Sequence, residues 1–494
     1  MQNIKMFIDG EWVNSASGKK KQLVNPATGE IFAEAEEATK EDTLRAVEAA
    51  KKAFSLGSSW RNLMPQERAD LVYKVADKLE ERIEEIAKME SINTGKLFRE
   101  TRYDDVYAAI GAFRYFAGLI SEIQGSTSTM ETGLFTISMR EPLGVCGIIV
   151  PWNYPLGTAA VGIAQALCAG NTIVVKPSSL TPCTTSILFE IFEEVGFPKG
   201  SVNLVLGNGE VTGNAIAESR DVKKIVFTGG TVTGRELIKR SSTSVKKLAL
   251  ELGGKSPFII FKDADLEVAV DNAMFGIYLS QGQNCTAGSR MLVEEPVYDK
   301  VLEILKKRVA KIKIGMPFDV DAEFGPLVSE GHMRNVLQYI KSGKEDGATL
   351  LVGGNRIQTG DFAKGYFVEP TVFADCRQEM RIVQEEIFGP VLTVQKFSNE
   401  EEAITMANDI EYGLAGGVFT QDISKAMRVC NAVNTGVLWI NTYMEGNLSI
   451  PLSPHKESGL GIVGGIEGLR EYTVLKQINV KINATKINWF TEEE

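Results

Sequence analysis

The sequence predicts an α/β protein whose core is a parallel, doubly wound sheet, and three observations carry that prediction. Short apolar, β-branched runs recur at 145–150, 172–175, 202–206, 225–227 and 257–261. They do not alternate polar with apolar residues, which is the pattern of strands covered on both faces. Glycine-rich turns and helical segments separate most of them, as parallel crossovers require. Ligands in such sheets bind beyond the carboxyl ends of the strands.

The flanking elements read as follows. Phe7-Ile8-Asp9-Gly10-Glu11-Trp12 is a hairpin around an Asp-Gly turn. A capped helix is expected from Thr39 through Val47 to Phe54. A longer helix carries Leu71, Val75, Leu79, Ile83 and Ile86 at spacings of three and four, one buried face. After about 290 a second alternation begins, with strand candidates at 349–352, 391–395 and 437–440, so a second α/β domain is expected. Val480-Lys481-Ile482-Asn483-Ala484 alternates like a strand and could pair with a partner subunit.

At 494 residues the chain exceeds one ordinary core and should divide into two or three domains. A hydrophobic share of 44% with 24% charged residues is that of a soluble globular protein. The net charge of −11 argues against nucleic acid as a partner, and Lys19-Lys20-Lys21 reads as solvated surface. Met1-Gln2-Asn3-Ile4-Lys5 lacks the apolar stretch of a signal peptide, and no window approaches the ~18 apolar residues of a membrane span. A cytoplasmic protein with no membrane partner is expected.

Six cysteines are scattered without a CxxC pair, so neither a disulfide framework nor a metal site is expected. Cys146 and Cys168 lie in apolar runs and read as core residues. Cys285 differs. Gly282-Gln283-Asn284-Cys285-Thr286-Ala287-Gly288-Ser289-Arg290 surrounds it with small and polar residues, a setting suited to admitting a ligand. Upstream, Glu251 interrupts the apolar run from Lys247 to Leu252, ahead of Gly253-Gly254-Lys255. A carboxylate there is costly to bury without a partner or a job, and nucleophile plus base is the simplest job that uses both residues. The only histidines are His332 and His455, neither in a recognisable motif, so a carboxylate base is expected.

Three loops follow the predicted strands at one sheet edge. Pro151-Trp152-Asn153-Tyr154-Pro155 follows 145–150, where Asn153 could donate to a developing oxyanion or simply fill a proline-rich turn. Lys176-Pro177-Ser178-Ser179 follows 172–175 and could reach a ribose hydroxyl or a phosphate. Phe227-Thr228-Gly229-Gly230 frees backbone N–H groups near a helix start, as an anion site needs, and Gly207-Asn208-Gly209 is similar. Each alone reads equally as a plain turn or as a binding loop; three at the same edge of one sheet favour a dinucleotide. Glu385 and Glu386, taken alone, read as surface carboxylates.

Together these segments resemble the NAD(P)-dependent aldehyde dehydrogenase superfamily, near its betaine aldehyde and retinal dehydrogenase branch. PWNYP, AGNTIVVKPS, FTGG, LELGGKSP, GQNCTAGSR, GYFVEPTV, EEIFGP, YGLAGGVF and LWIN occur in the family's order. The resemblance implies a Rossmann-type cofactor domain over 1–121 and 143–253 and an α/β catalytic domain over 254–470. A small β oligomerisation flap over 122–142 and 471–494 completes it. It implies Cys285 as nucleophile, Glu251 as general base and Asn153, with the Cys285 N–H, as oxyanion-hole donor. Lys176 would bind the adenosine ribose and Glu386 the nicotinamide ribose, with Phe388 beside the ring. Trp152, Gly229 and Gly230 would line the cofactor cleft. The implied substrate is a small aldehyde, the cofactor NAD, and the assembly a homodimer or homotetramer.

Two departures qualify that picture. Ser179 stands where many NAD-specific members carry Glu, whose carboxylate repels a 2′-phosphate, so NADP is expected to be tolerated beside NAD. Between Pro451 and Val463 the family's aromatic residue, two glycines and Arg-Glu pair are lost. Betaine aldehyde is one candidate substrate, with Tyr154 and Tyr443 as aromatic contributors, but Val161 stands where such members often have Trp. Aliphatic or bulky apolar, retinal-like aldehydes are the alternative. A CoA-acylating semialdehyde dehydrogenase and a non-catalytic member of the family are further alternatives.

Overall fold

The structure, a computed structural model, describes residues 2–131, 133–487 and 489–490. The apolar runs build two large sheets. The first has eight strands, in the order Gly459–Leu460, Lys247–Glu251, Val222–Thr228, Val145–Ile149, Thr172–Lys176, Val202–Leu204, Met6–Ile8 and Glu11–Val13. From Lys247–Glu251 to Val202–Leu204 every pairing is parallel. Val145–Ile149 and Thr172–Lys176 are buried along their whole length, which explains their lack of alternation. Helices Lys40–Phe54, Pro155–Cys168 and Cys183–Val195 pack against this sheet around one continuous apolar core.

Local chemistry fixes the early elements. Thr39 caps its helix in a reciprocal box with Asp42. In the hairpin, Asp9 and Gly10 both have positive φ (54° and 78°), as a two-residue type I′ turn requires. The long helix expected across Leu71 to Ile86 is two helices, Pro65–Glu81 and Ile83–Thr94, broken at Arg82 (φ −108°, ψ 18°). The apolar period runs on across the break, since Leu79 and Ile86 are both buried, so periodicity alone did not reveal it.

The second sheet has seven strands, in the order Thr349–Val352, Thr371–Ala374, Val391–Phe397, Arg290–Glu294, Pro257–Ile260, Ala415–Phe419 and Val437–Ile440. Pro257–Ile260, which the sequence grouped with the first series of runs, is a central strand here. Gly253 and Gly254 make the transfer between sheets. A Cβ on Gly254 would collide with the Cys285 carbonyl oxygen, and one on Gly253 with the Glu386 carboxylate. The backbone therefore passes between these two residues only because it carries no side chain there.

A separate three-stranded sheet pairs Thr473–Lys481 with Leu134–Pro142, and that strand with Ser126–Glu131, all antiparallel. The tail strand thus begins and ends earlier than the alternation at 480–484 suggested, and its partner lies in the same chain. Thr132, Asn488 and residues 491–494 of the expected flap lie outside the described residues. Among the described residues, no helix is long and apolar enough to cross a membrane.

Candidate active site

A cleft of about 1160 Å³ opens at the carboxyl edge of the first sheet. The ten catalytic and cofactor residues expected from the sequence border it: Trp152, Asn153, Lys176, Ser179, Gly229, Gly230, Glu251, Cys285, Glu386 and Phe388; Tyr154 and Tyr443, the expected aromatic contributors, do not. The fold explains the convergence. Glu251 and Lys176 end their parallel strands, and the loops carrying Asn153 and Gly229 leave the strands between them. Gly230 is the N-cap of helix Thr231–Ser241, so that helix opens at the cleft wall.

Cys285 reaches the cleft from the other sheet. Ser280, Gln281 and Gly282 all adopt left-handed backbone conformations (φ 50°, 59° and 71°) just before it. Non-glycine residues hold that conformation at a cost, and such strain collects where a side chain must be aimed. Asn153 ties this turn to the first sheet: its Nδ2 donates to Gln283 O at 2.9 Å. An amide nitrogen carries two hydrogens, so the second remains for a ligand in the cleft that Asn153 lines. The Asn284 Oδ1 lies 3.8 Å from Cys285 Sγ and accepts the Thr286 N–H at 3.0 Å.

The electrostatics follow from desolvation. Burial, with Glu251 and Glu386 nearby, pushes the Cys285 thiol up to about 12, so the resting group is protonated. Burial alone pushes Glu251 up to about 8; its Oε1 is buried with no hydrogen-bond partner among the described residues. That orphaned oxygen is held in place by the backbone, since Glu251 pairs with Thr228 on one side and Gly459 on the other. Burial raises Glu386 to about 7, against the pull of the Gly254 N–H, which donates to its Oε1 at 2.9 Å. Glu385, its neighbour, is exposed and paired with Arg381.

Three placements differ from the sequence reading. His332, in no motif, borders the cleft: its Nε2 donates to Phe388 O at 2.7 Å and its ring lies 5.0 Å from that of Trp152. It holds Phe388 in its left-handed conformation (φ 56°); the only signal in the sequence was that histidine is so scarce. Lys21, read as solvated, is half-buried and donates to Ser179 Oγ at 3.0 Å. Tyr443 is a core residue, packed on Phe258 with its hydroxyl donating to Thr286 O, and it does not border the cleft.

Taken as chemistry, this is a cleft at the carboxyl edge of a doubly wound sheet, lined by a thiol and by a carboxylate whose Oε1 has no hydrogen-bond partner among the described residues. The model of the aldehyde dehydrogenase family matches residues 12–478. The chain is 46% identical to a betaine aldehyde dehydrogenase of Bacillus subtilis (strain 168), across 98% of this chain and 99% of that one. It is 44% identical to retinal dehydrogenase 2 of Gallus gallus, across 98% and 92%. A crystal structure of betaine aldehyde dehydrogenase from Staphylococcus aureus with NAD+ matches at a TM-score of 0.97 and 44% identity, over 99% and 97% of the two chains. The chain belongs to the aldehyde dehydrogenase family, NAD(P)-dependent oxidoreductases that act on aldehydes.

Proposed function

We propose that this chain oxidises an aldehyde to its carboxylic acid through a covalent intermediate on Cys285. The observation that carries the proposal is that Cys285, Glu251 and Asn153 all line a single cleft, with Glu251 close enough to act on the Cys285 thiol and Asn153 bonded to Gln283 in the cysteine's own turn. Cys285 Sγ gives its proton to solvent and adds to the aldehyde carbonyl to give a thiohemiacetal, whose oxyanion takes hydrogen bonds from Asn153 Nδ2 and the Cys285 N–H. One such donor is worth ~10²–10³ in rate. Loss of hydride from that carbon leaves a thioester. Glu251 takes a proton from water, the resulting hydroxide displaces the thiolate, and the acid leaves. A carboxylate raised to about 8 is a stronger base than an ordinary one, as this step demands.

The long, edge-placed cleft with Lys176 and the Thr231–Ser241 helix start fits a nicotinamide dinucleotide. When bound, that cofactor supplies hydride acceptance. Lys176 and the Gly229-Gly230 turn would hold its adenosine end, and Glu386, Phe388 and Trp152 its nicotinamide end. Ser179 presents a hydroxyl rather than a repelling carboxylate, so NADP+ is used beside NAD+. For the described residues, the proposed cofactor domain lies within 1–121 and 143–253, the catalytic domain within 254–470, and the flap within 122–142 and 471–494. Val474, Leu475, Ile478 and Val480 are exposed on the flap's edge strand, which supports pairing with a second copy in a homodimer or homotetramer. Cys146, Cys168, Cys183, Cys285, Cys376 and Cys430 are all free thiols, which suits the reducing cytoplasm.

Betaine aldehyde is one candidate substrate, in line with the names of two relatives. One observation favours an uncharged aldehyde instead. The Lys96 ammonium already lies 3.6 Å from the Tyr154 ring centroid, and Tyr443 is committed to the core. A trimethylammonium group needs free aromatic faces. Initial rates across betaine aldehyde, hexanal and retinal with each cofactor test both points. An uncharged aldehyde should give the highest kcat/KM, and NADP+ should support turnover. A preference for NAD+ above about 1,000-fold, roughly 4 kcal/mol, would refute the reading of Ser179.

A further inference from the structure

The adenosine end of the cleft carries a charge imbalance. Lys176 is buried, and its Nζ donates to Pro177 O at 2.8 Å. Burial and the neighbouring Lys21 charge push its pKa down to about 8, with no carboxylate acting against them. Lys21 reaches this place from strand Lys20–Val24, in a small sheet that does not contribute to the cleft's own β-edge. Its chain neighbour Lys20 lies 3.9 Å from both Glu34 and Glu36. Among the described residues Lys21 forms no ion pair; its ammonium instead donates to Ser179 Oγ at 3.0 Å. Because that hydroxyl oxygen accepts from Lys21, its own hydrogen is left to donate elsewhere.

Two ammonium groups and a hydroxyl thus meet at one corner, and among the described residues neither ammonium has an ion pair. A bound dianion would relieve the repulsion between the two cations and accept all three donors. We propose that Lys21 is the residue that selects the 2′-phosphate of NADP+, with Ser179 positioning its ammonium. The inference rests on the reading of this cleft as a dinucleotide site and extends it to a residue from a separate sheet. With Glu in place of Ser179, Lys21 would be neutralised, so the serine and the lysine act as one device.

The test uses calorimetric titration of the full chain with adenosine 2′,5′-bisphosphate and with AMP, beside the ratio of kcat/KM for NADP+ and NAD+. The wild type should bind the bisphosphate more tightly than AMP, by a margin that shrinks with added salt. Lys21→Ala should lower both the binding preference and the kinetic ratio by at least about tenfold, since a charge-assisted contact is lost. Lys21→Arg should retain most of the preference, and Lys20→Ala should leave it unchanged. Equal weakening of both nucleotides in Lys21→Ala would make Lys21 merely structural and overturn the inference, as would a wild type without preference for the bisphosphate. Aldehyde oxidation that persists with an unaltered cofactor ratio in Lys21→Ala would overturn the Lys21 role alone. Failure of either nucleotide to bind the wild type would overturn the dinucleotide reading and this inference with it.

Discussion

Cys285→Ala is expected to abolish aldehyde oxidation, with kcat down by at least about 10⁴-fold, because loss of a catalytic nucleophile removes the whole covalent route. No other thiol can substitute. Cys146, Cys168, Cys183 and Cys376 are buried, Cys430 is half-buried, and none of them borders the cleft. The substitution removes a single half-buried sulfur, so the fold should survive it. Circular dichroism and nucleotide binding check this alongside the rate of reduced-cofactor formation. Turnover near the wild-type rate in a folded variant would end the assignment of the nucleophile.

The second large effect is expected at Glu251. Its carboxylate prepares water for the thioester and is not needed for hydride loss, so Glu251→Gln should separate the two halves of the reaction. The first turnover should give about one equivalent of reduced cofactor per site, followed by steady-state turnover ~10²–10⁴-fold slower than in the wild type. Gln is nearly isosteric, and among the described residues Oε1 has no partner to lose. The pH profile sharpens the prediction. The base works as the carboxylate, so deacylation in the wild type should rise with pH and level off above about 8, the value to which burial lifts Glu251. Stopped-flow traces across that range should show the rise in the wild type and its loss in the variant.

What could be read from the sequence divides along a physical line. Val145–Ile149 and Thr172–Lys176 were legible because burial on both faces leaves an uninterrupted apolar run. Glu251 and Cys285 were legible because each is costly or out of place in its local setting, and family motifs gave them roles. What was hidden depends on contacts between distant parts of the chain. Nothing around Lys21 tells that its ammonium meets Ser179, and nothing around His332 tells that its ring supports Phe388. The transfer of Pro257–Ile260 to the second sheet depends on strands up to Ala415–Phe419. The fate of Tyr443 is similar: an aromatic residue near a substrate loop looks available until Phe258 and Gly417 are seen packed against it.

The altered segment from Pro451 to Val463 keeps a structural task despite its lost motif residues. Gly459 pairs with Glu251, and Leu252 N donates to Ser458 O at 2.9 Å. The Ser458 hydroxyl accepts from Gly413 N at 2.9 Å and donates to Gly253 O at 2.7 Å. The strand end bearing the base is thus fixed from both sides, which is consistent with catalysis despite the departures around it.

The central claim is that Cys285 carries the acyl group between oxidation and hydrolysis. Its most direct test is peptide-resolved mass spectrometry of Glu251→Gln, quenched in acid during turnover with an aldehyde and oxidised cofactor. An added acyl mass is expected on the peptide containing Cys285, in a yield equal to the burst of reduced cofactor. A full burst with an unmodified Cys285 would contradict it.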